Sequence, residues 1–182
     1  MRIIKNSRIA CIVMALLIAA GTLVGSHSSL MGMRNKAAGV FVLGARGDGI
    51  GIQGDLRERE SIAYNMVTVA RKYLPEENAL IQNVLNARKS LDSASAVKDK
   101  SRANKELETA VRDLYDALGA MELSAQDERY PQRLYTDFRS RGDTISHDPY
   151  NQRAAEFNEA LSRFPASLLG GLTGVRPLEL FE

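Results

Sequence analysis

Three glycines raise the first chemical possibility. In "VLGARGDGIGIQGDLRERE", Gly49, Gly51 and Gly54 spell G-x-G-x-x-G, the turn that lets a backbone approach a pyrophosphate. That chemistry needs a strand before the turn, a helix after it and a parallel strand next. Val40 to Leu43 is a short apolar run ahead of the turn, and a helical segment follows with Asp55 as its N-cap. Beyond it comes helix again. Without the second strand the glycines read as a hinge, and no cofactor is expected. A hydrolase has residue types of the kind found at His147-Asp148 beside Ser140 and Ser146, but no G-x-S-x-G elbow accompanies them, and a polar kink between helices is the expectation. His27 and His147 are the only histidines. Neither has the companions of a four-ligand zinc site, so no metal is expected. Arg46-Gly47-Asp48 and Arg141-Gly142-Asp143 repeat an adhesion tripeptide whose three residues are ordinary loop composition.

The charge distribution excludes a further class. The chain has 182 residues and a net charge of +2. Residues 1–46 carry six Lys/Arg and no acid, leaving 18 Lys/Arg against 22 Asp/Glu in the remainder, a net of −4. An acidic body with no basic block is a poor ligand for phosphate backbones, so no nucleic acid is expected. Cys11, the single cysteine, permits no intrachain disulfide. It lies inside an apolar run rather than after one, unlike a lipid-modified cysteine.

That run, Ile9 to Gly25, follows a basic stretch with Arg2, Lys5 and Arg8 and contains no charge. Ile9, Ile12, Leu16, Leu17, Ile18, Leu23 and Val24 carry its membrane affinity; each Leu, Ile or Val favours insertion by about 0.3–0.6 kcal/mol. As a helix the run is roughly 25 Å long, and Leu30, Met31 and Met33 extend it toward the ~30 Å of a bilayer core. A signal peptide cut at Ala19-Ala20-Gly21 is the rival reading, but Leu23 and Val24 continue the apolar run past that point, which favours a retained anchor. The basic residues at the N-terminus place it in the cytoplasm and the body outside, with Arg34 and Lys36 opposing that bias.

The body patterns as helices. Leu56, Ala63, Val67, Ala70 and Leu74 recur at near-helical spacing, and Leu74-Pro75 ends the segment. Pro75-Glu76-Glu77 opens the next, which carries Leu80, Val84, Ala87, Leu91 and Ala94. A third carries Ala103, Leu107, Ala110, Leu114, Leu118 and Met121, with Lys98 to Lys105 as the polar connection and first turn. A fourth stretch runs from about Ser124 to Phe164, interrupted near Gly142 and at Asp148-Pro149, where Asp148 caps a new turn. The charge runs Arg57-Glu58-Arg59-Glu60 and Lys98 to Glu108 read as solvated helix faces. Amphipathic helices with short connections fold as an antiparallel bundle.

The C-terminal third is the most informative. Tyr150-Asn151 and Phe157-Asn158 lie seven residues apart. Two helical turns put both pairs on one face, the aromatic inward and the Asn reaching a neighbouring helix or backbone. Tyr64-Asn65 offers the same pair on the first body helix. Phe164-Pro165 follows, then Leu168, Leu169, Leu172 and Val175 at helical spacing, then Leu178, Leu180 and Phe181. So apolar a tail must cover the bundle, meet a partner or rest on the membrane.

Tyr150, Asn151, Phe157, Asn158, Phe164, Pro165, Leu168, Leu172, Gly174 and the closing Phe181-Glu182, with Tyr130-Pro131 and the N-terminal anchor, resemble the LemA family of bacterial membrane proteins. The glycine-rich insertion after the anchor and Pro149 depart from its pattern. The resemblance implies a single-pass protein of the bacterial membrane with a helical-bundle body; it implies no established catalytic activity and carries over no catalytic residue.

The expected fold is all-α: an N-terminal transmembrane helix, then an antiparallel bundle of three to four long helices. Residues 1–33 form the basic segment and anchor, 34–54 the connecting segment and hinge, and 55–182 the bundle and apolar tail. The expected function is a non-catalytic interaction or scaffold module, held in lipid by its N-terminal helix, meeting a membrane or envelope protein or a second copy of itself. A soluble bundle released by signal cleavage is the alternative. An envelope enzyme is a third reading, which requires Arg141, Asp143, His147 and Asp148, or the loop 44–54, to form a site.

Overall fold

The computed structural model describes residues 7–182, with side chains from Ile9 onward. Arg2, Lys5 and the side chain of Arg8 lie outside the described residues. Among those described there are seven helices and no strand: α1 Ser7–Leu43, α2 Ile52–Ala70, α3 Ala79–Ser93, α4 Val97–Gly119, α5 Tyr130–Ser146, α6 Tyr150–Ser162 and α7 Ala166–Thr173. They form two compact units. One holds α1 up to Ala38 together with residues 152–178; the other holds residues 39–151 and 179–182.

In the second unit α2, α3, α4 and α5 make an antiparallel four-helix bundle, with α2 against α5 and α3 against α4 as the closest pairs. Its core is built from Leu56, Ala63, Met66, Val67 and Ala70 of α2, Ile81, Val84 and Leu91 of α3, Leu107, Val111, Leu114 and Leu118 of α4, and Phe138 of α5. Apolar residues three and four apart produce these stripes, and each fully buried large side chain contributes about 1.5–3 kcal/mol.

Several boundaries differ from the sequence expectation. The helix α1 runs through residue 33 to Leu43, so Val40 to Leu43 are its last turn. The helix α2 begins at Ile52 after an N-cap at Gly51; Asp55 is inside its first turn, where an acid suits the helix dipole. It ends at Ala70, before Leu74, and α3 is capped by Asn78, whose side chain accepts from the Leu80 N–H at 2.9 Å. Val97 already opens α4, so Lys98 to Lys105 are helical. Gly142 does not interrupt α5. The break comes at residues 147–149, where Asp148 accepts from the Tyr150 N–H at 2.8 Å and caps α6.

The glycine-rich segment is a built corner. Gly44, Gly47 and Gly49 have φ of +70 to +82°, the left-handed region that favours glycine. At Gly51 a Cβ would stand 2.6 Å from the Val40 carbonyl oxygen and 2.7 Å from that of Phe41. The end of α1 and the start of α2 approach too closely there for any side chain.

In the first unit, α1 is covered along one stripe, Leu23, Ser26, Leu30, Arg34 and Ala37, while Cys11 to Thr22 are exposed throughout. Arg34 Nε donates to the Arg176 carbonyl at 3.0 Å. Ala154, Phe157 and Leu161 of α6 and Val175 and Leu178 beyond α7 complete the unit's core. Gly174, at φ +76°, ends α7 as a left-handed cap. The Phe164-Pro165 bond is cis.

Candidate functional site

The residues that could have made an enzyme do not converge. Arg141 pairs with the buried Asp55 at 3.1 Å, tying α5 to α2. His147 is exposed and its Nδ1 sits 2.8 Å from the Asp143 carbonyl and 3.0 Å from Ser146 Oγ, a helix-end arrangement. Asp148 is committed to capping α6; burial, with repulsion from Asp55, pushes its carboxyl above the ordinary range, while the Tyr150 N–H opposes. In the loop 44–54, Asp48 accepts from the Ile50 N–H at 3.1 Å. Of the two R-G-D triplets, one lies in the corner and the other inside α5.

What the structure assembles instead is a polar cavity of about 410 Å³ between α2, α4 and α5, bordered by the C-terminal residues Phe181 and Glu182. Arg59 forms its floor. Its side chain is 2% exposed, with the guanidinium 4.0 Å above the Phe138 ring and Nη2 3.2 Å from Glu108 Oε2. On the other side stands Gly142, where a Cβ would lie 2.8 Å from Nη1. Burial lowers the Arg59 pKa, and Glu108 and Asp143 counter it; arginine remains charged. Arg59 Nε and Asn104 Oδ1 are buried without a hydrogen-bond partner, a cost of about 1–3 kcal/mol for each such group.

Sequence reading had placed Arg59 and Asn104 on solvated faces, and the structure corrects both. The signal was present. Arg59 is three residues after Leu56 and four before Ala63, inside α2's apolar stripe, and Asn104 is three before Leu107. Charge masked the register. Asp127 was missed as well: Lys72 Nζ at 2.7 Å and the Tyr73 hydroxyl at 2.8 Å both donate to its carboxylate. These hydrogen bonds hold the Asp127 pKa below the ordinary carboxylate range.

The C-terminal strap accounts for the aromatic–Asn spacing. Tyr150 and Phe157 are buried. Asn151 Nδ2 donates to the Phe181 carbonyl at 2.7 Å, and its Oδ1 accepts from the Phe181 N–H at 2.8 Å. Asn158 does the same with Leu178, at 2.8 and 2.7 Å. Each side-chain amide thus mimics a peptide and satisfies one residue of extended chain. Seven helical residues rise about 10.5 Å and three extended residues about 10 Å, so Asn at i and i+7 matches strap residues three apart. The strap is also held by Tyr150 Oη on the Glu179 carbonyl at 2.6 Å, by Glu179 Oε2 on the Lys98 N–H at 3.1 Å and by the Ser101 hydroxyl on the Glu182 carbonyl. Phe41 contacts Tyr150 edge-on at 5.1 Å and Phe181 at 6.0 Å.

Residues 50–182 match the LemA family. This chain is a member of the LemA family. Compared with curated proteins, it has no match. The family match includes the whole bundle and the strap and excludes Ile9 to Gly25.

Not every residue of the LemA-like pattern is internal. Phe164, Leu168 and Leu172 are 82%, 56% and 67% exposed. Tyr64 also turns outward, beneath the Arg88 guanidinium at 4.8 Å, so the Tyr64-Asn65 pair does not reproduce the inward aromatic of α6.

Proposed function

We propose that this LemA-family member is a membrane-anchored, non-catalytic helical module. Its α1 sits in lipid, and its bundle engages a membrane or envelope protein outside the cytoplasm. The observation that carries the reading is the exterior of α1. Ile12, Leu16, Leu17, Ile18 and Val24 are 60–71% exposed on a helix long and apolar enough to cross a membrane. Side chains of this kind need lipid around them; eight Leu, Ile and Val residues between Ile9 and Gly25 sum to roughly 2.4–4.8 kcal/mol of insertion free energy. Arg2, Lys5 and Arg8 ahead of the span favour a cytoplasmic N-terminus and an external body.

Non-catalytic action is supported by the use of the body's polar groups. Asp55, Asp127, Asp148, Asn151 and Asn158 are spent on ion pairs, caps and backbone clamps. A broad groove between α3 and α4, bordered by Asn83, Asn86, Ser90, Arg102, Glu106 and Asp113, offers the bundle a polar face for a partner. Photo-crosslinking residues placed in cells at Asn86 and Glu106, and on the α5 face at Arg133 and Asp137, test the module reading. Capture of one protein from one face and not from the other supports it. Equal capture from both faces, or none, refutes it.

A further inference from the structure

The helix α7 is apolar on both sides, and only one side is used. Between Arg163 and Arg176 the chain carries no charged residue. Gly170 is buried, packed so closely that a Cβ would lie 2.7 Å from Leu161 Cδ1, and Ala166, Leu169 and Thr173 are half-buried. The opposite face presents Leu168 and Leu172, four residues apart and open to the exterior, and Phe164, just ahead of the helix, is exposed as well. A helix apolar all round belongs in a protein core or in a membrane, and this one has a core on one side alone.

Its place along α1 identifies what lies on the other side. The Arg34–Arg176 hydrogen bond fixes the end of this segment near Arg34. Shielding of α1 begins at Leu23, two residues before the uncharged run ends at Gly25. Among the described residues, 152–178 share this compact unit with α1, so part of that segment covers α1 as far as Leu23, beside the end of the uncharged run. From Arg34 to Gly25 is nine residues, about 13.5 Å of helix, and α7 itself is about 12 Å long.

We propose that the Phe164–Leu168–Leu172 ridge is a second membrane contact, seated in the lipid interface beside the anchor; this rests on the anchored reading above. The occupant is the bilayer surface. An interfacial segment sinks its apolar face about 5–10 Å toward the acyl boundary. Arg163 and Arg176 bracket the uncharged segment, and Arg34 of α1 lies beside Arg176. In this arrangement these basic side chains are available to lipid phosphates, long basic side chains being able to keep their heads in the polar layer.

The chain contains no Trp, so one introduced indole reports alone. The full-length protein is reconstituted in phosphatidylcholine–phosphatidylglycerol vesicles as L168W, and separately as L17W. Quenching by lipids brominated along their chains is then measured. L17W quenched by deep bromines establishes the anchor. L168W is then expected to emit to the blue of its position in water and to lose most of its emission to shallow bromines. It is expected to resist aqueous iodide. With L17W quenched, water-like emission of L168W that iodide removes would overturn the contact and leave the anchor standing. A blue-shifted L168W that bromolipid does not touch, and that returns to water-like emission on dilution into excess lipid, would assign the ridge to a second copy of the chain and overturn the proposal. Failure of L17W to quench would refute the anchored reading itself. Because the ridge is exposed, F164S/L168S/L172S is expected to keep its helical circular dichroism. In this background a Trp at Ser167 should lose the bromolipid quenching that S167W shows alone.

Discussion

Replacing Asn158 by Ala removes both halves of one backbone clamp, and the consequence can be worked from the structure. The Leu178 N–H and carbonyl each lose a partner, at 2.7 and 2.8 Å, and Leu178 is itself buried. Each hydrogen bond contributes a net of about 0.5–1.5 kcal/mol, so local opening of the strap becomes easier by about 1–3 kcal/mol. At 1.4 kcal/mol per decade this is a roughly 5- to 150-fold faster exchange of the Leu178 amide under native conditions. Hydrogen exchange with residue-level resolution on the detergent-solubilised full chain reads it directly. Asn151→Ala is expected to do the same at Phe181. Asn158→Asp is the sharper variant: the ionised carboxylate still accepts from the Leu178 N–H but has nothing to donate to the carbonyl, and the donor returns only when the acid is protonated. Unchanged exchange at Leu178 in Asn158→Ala would refute the clamp, as would an Asn158→Asp protein as well protected as the native one at neutral pH.

Four further outcomes are expected. Gly142→Ala brings a methyl against the Arg59 guanidinium, pinned between Phe138 and Glu108. The ~1 kcal/mol gain in helix propensity is then cancelled or exceeded by an overpacking cost of about 1–3 kcal/mol, so Tm does not rise, and a rise of several degrees would contradict this. Phe41→Ala removes a buried ring that touches Tyr150 and Phe181 and should cost about 3–5 kcal/mol, read by thermal unfolding together with faster exchange at Phe181. The Asp127 pKa is depressed by Lys72 and Tyr73. Its contribution to stability is therefore full above the unfolded value of about 3.9 and is lost as pH falls through the lower folded value; Asp127→Asn should narrow the Tm difference between neutral and acid pH, and an unaltered profile would contradict it. In a C11S background, a cysteine placed at Glu122 should react with an impermeant maleimide added outside intact spheroplasts, and labelling only after lysis would reverse the proposed orientation.

Much of the architecture could be read from apolar spacing. Val84, Ala87 and Leu91, and Ala103, Leu107, Ala110, Leu114 and Leu118, were identified from their three- and four-residue steps and lie buried or nearly so. Boundaries were less legible because caps are decided by single contacts. Asn78, not Pro75, opens α3, since its side chain reaches the Leu80 N–H. The glycine segment misled because composition distinguishes a hinge poorly from a close corner; the approach of Gly51 to the last turn of α1 is a tertiary fact. Arg59, Asn104 and Asp55 escaped for a different reason. In the four-helix bundle α2 and α4 each meet three neighbours, so their buried faces are wider than one apolar stripe, and the ion pairs that Arg59 and Asp55 make there are with Glu108 and Arg141, distant in sequence. The Asn151 and Asn158 clamps were visible as a spacing, while their partners, the main chain of Phe181 and Leu178, were not, because a backbone acceptor leaves no mark on the sequence.

The central claim is that α1 resides in a bilayer and holds the bundle there. Its most direct test is the fate of the full-length chain in alkaline-carbonate-washed, floated membranes, with the mature N-terminus determined by mass spectrometry. The predicted result is a carbonate-resistant protein that retains Ile9 to Gly25, together with a Leu17→Arg variant that loses integration, since Arg at a span's centre costs about 2.5–3.5 kcal/mol. A mature chain beginning after Gly21 and recovered free of membranes would contradict the account.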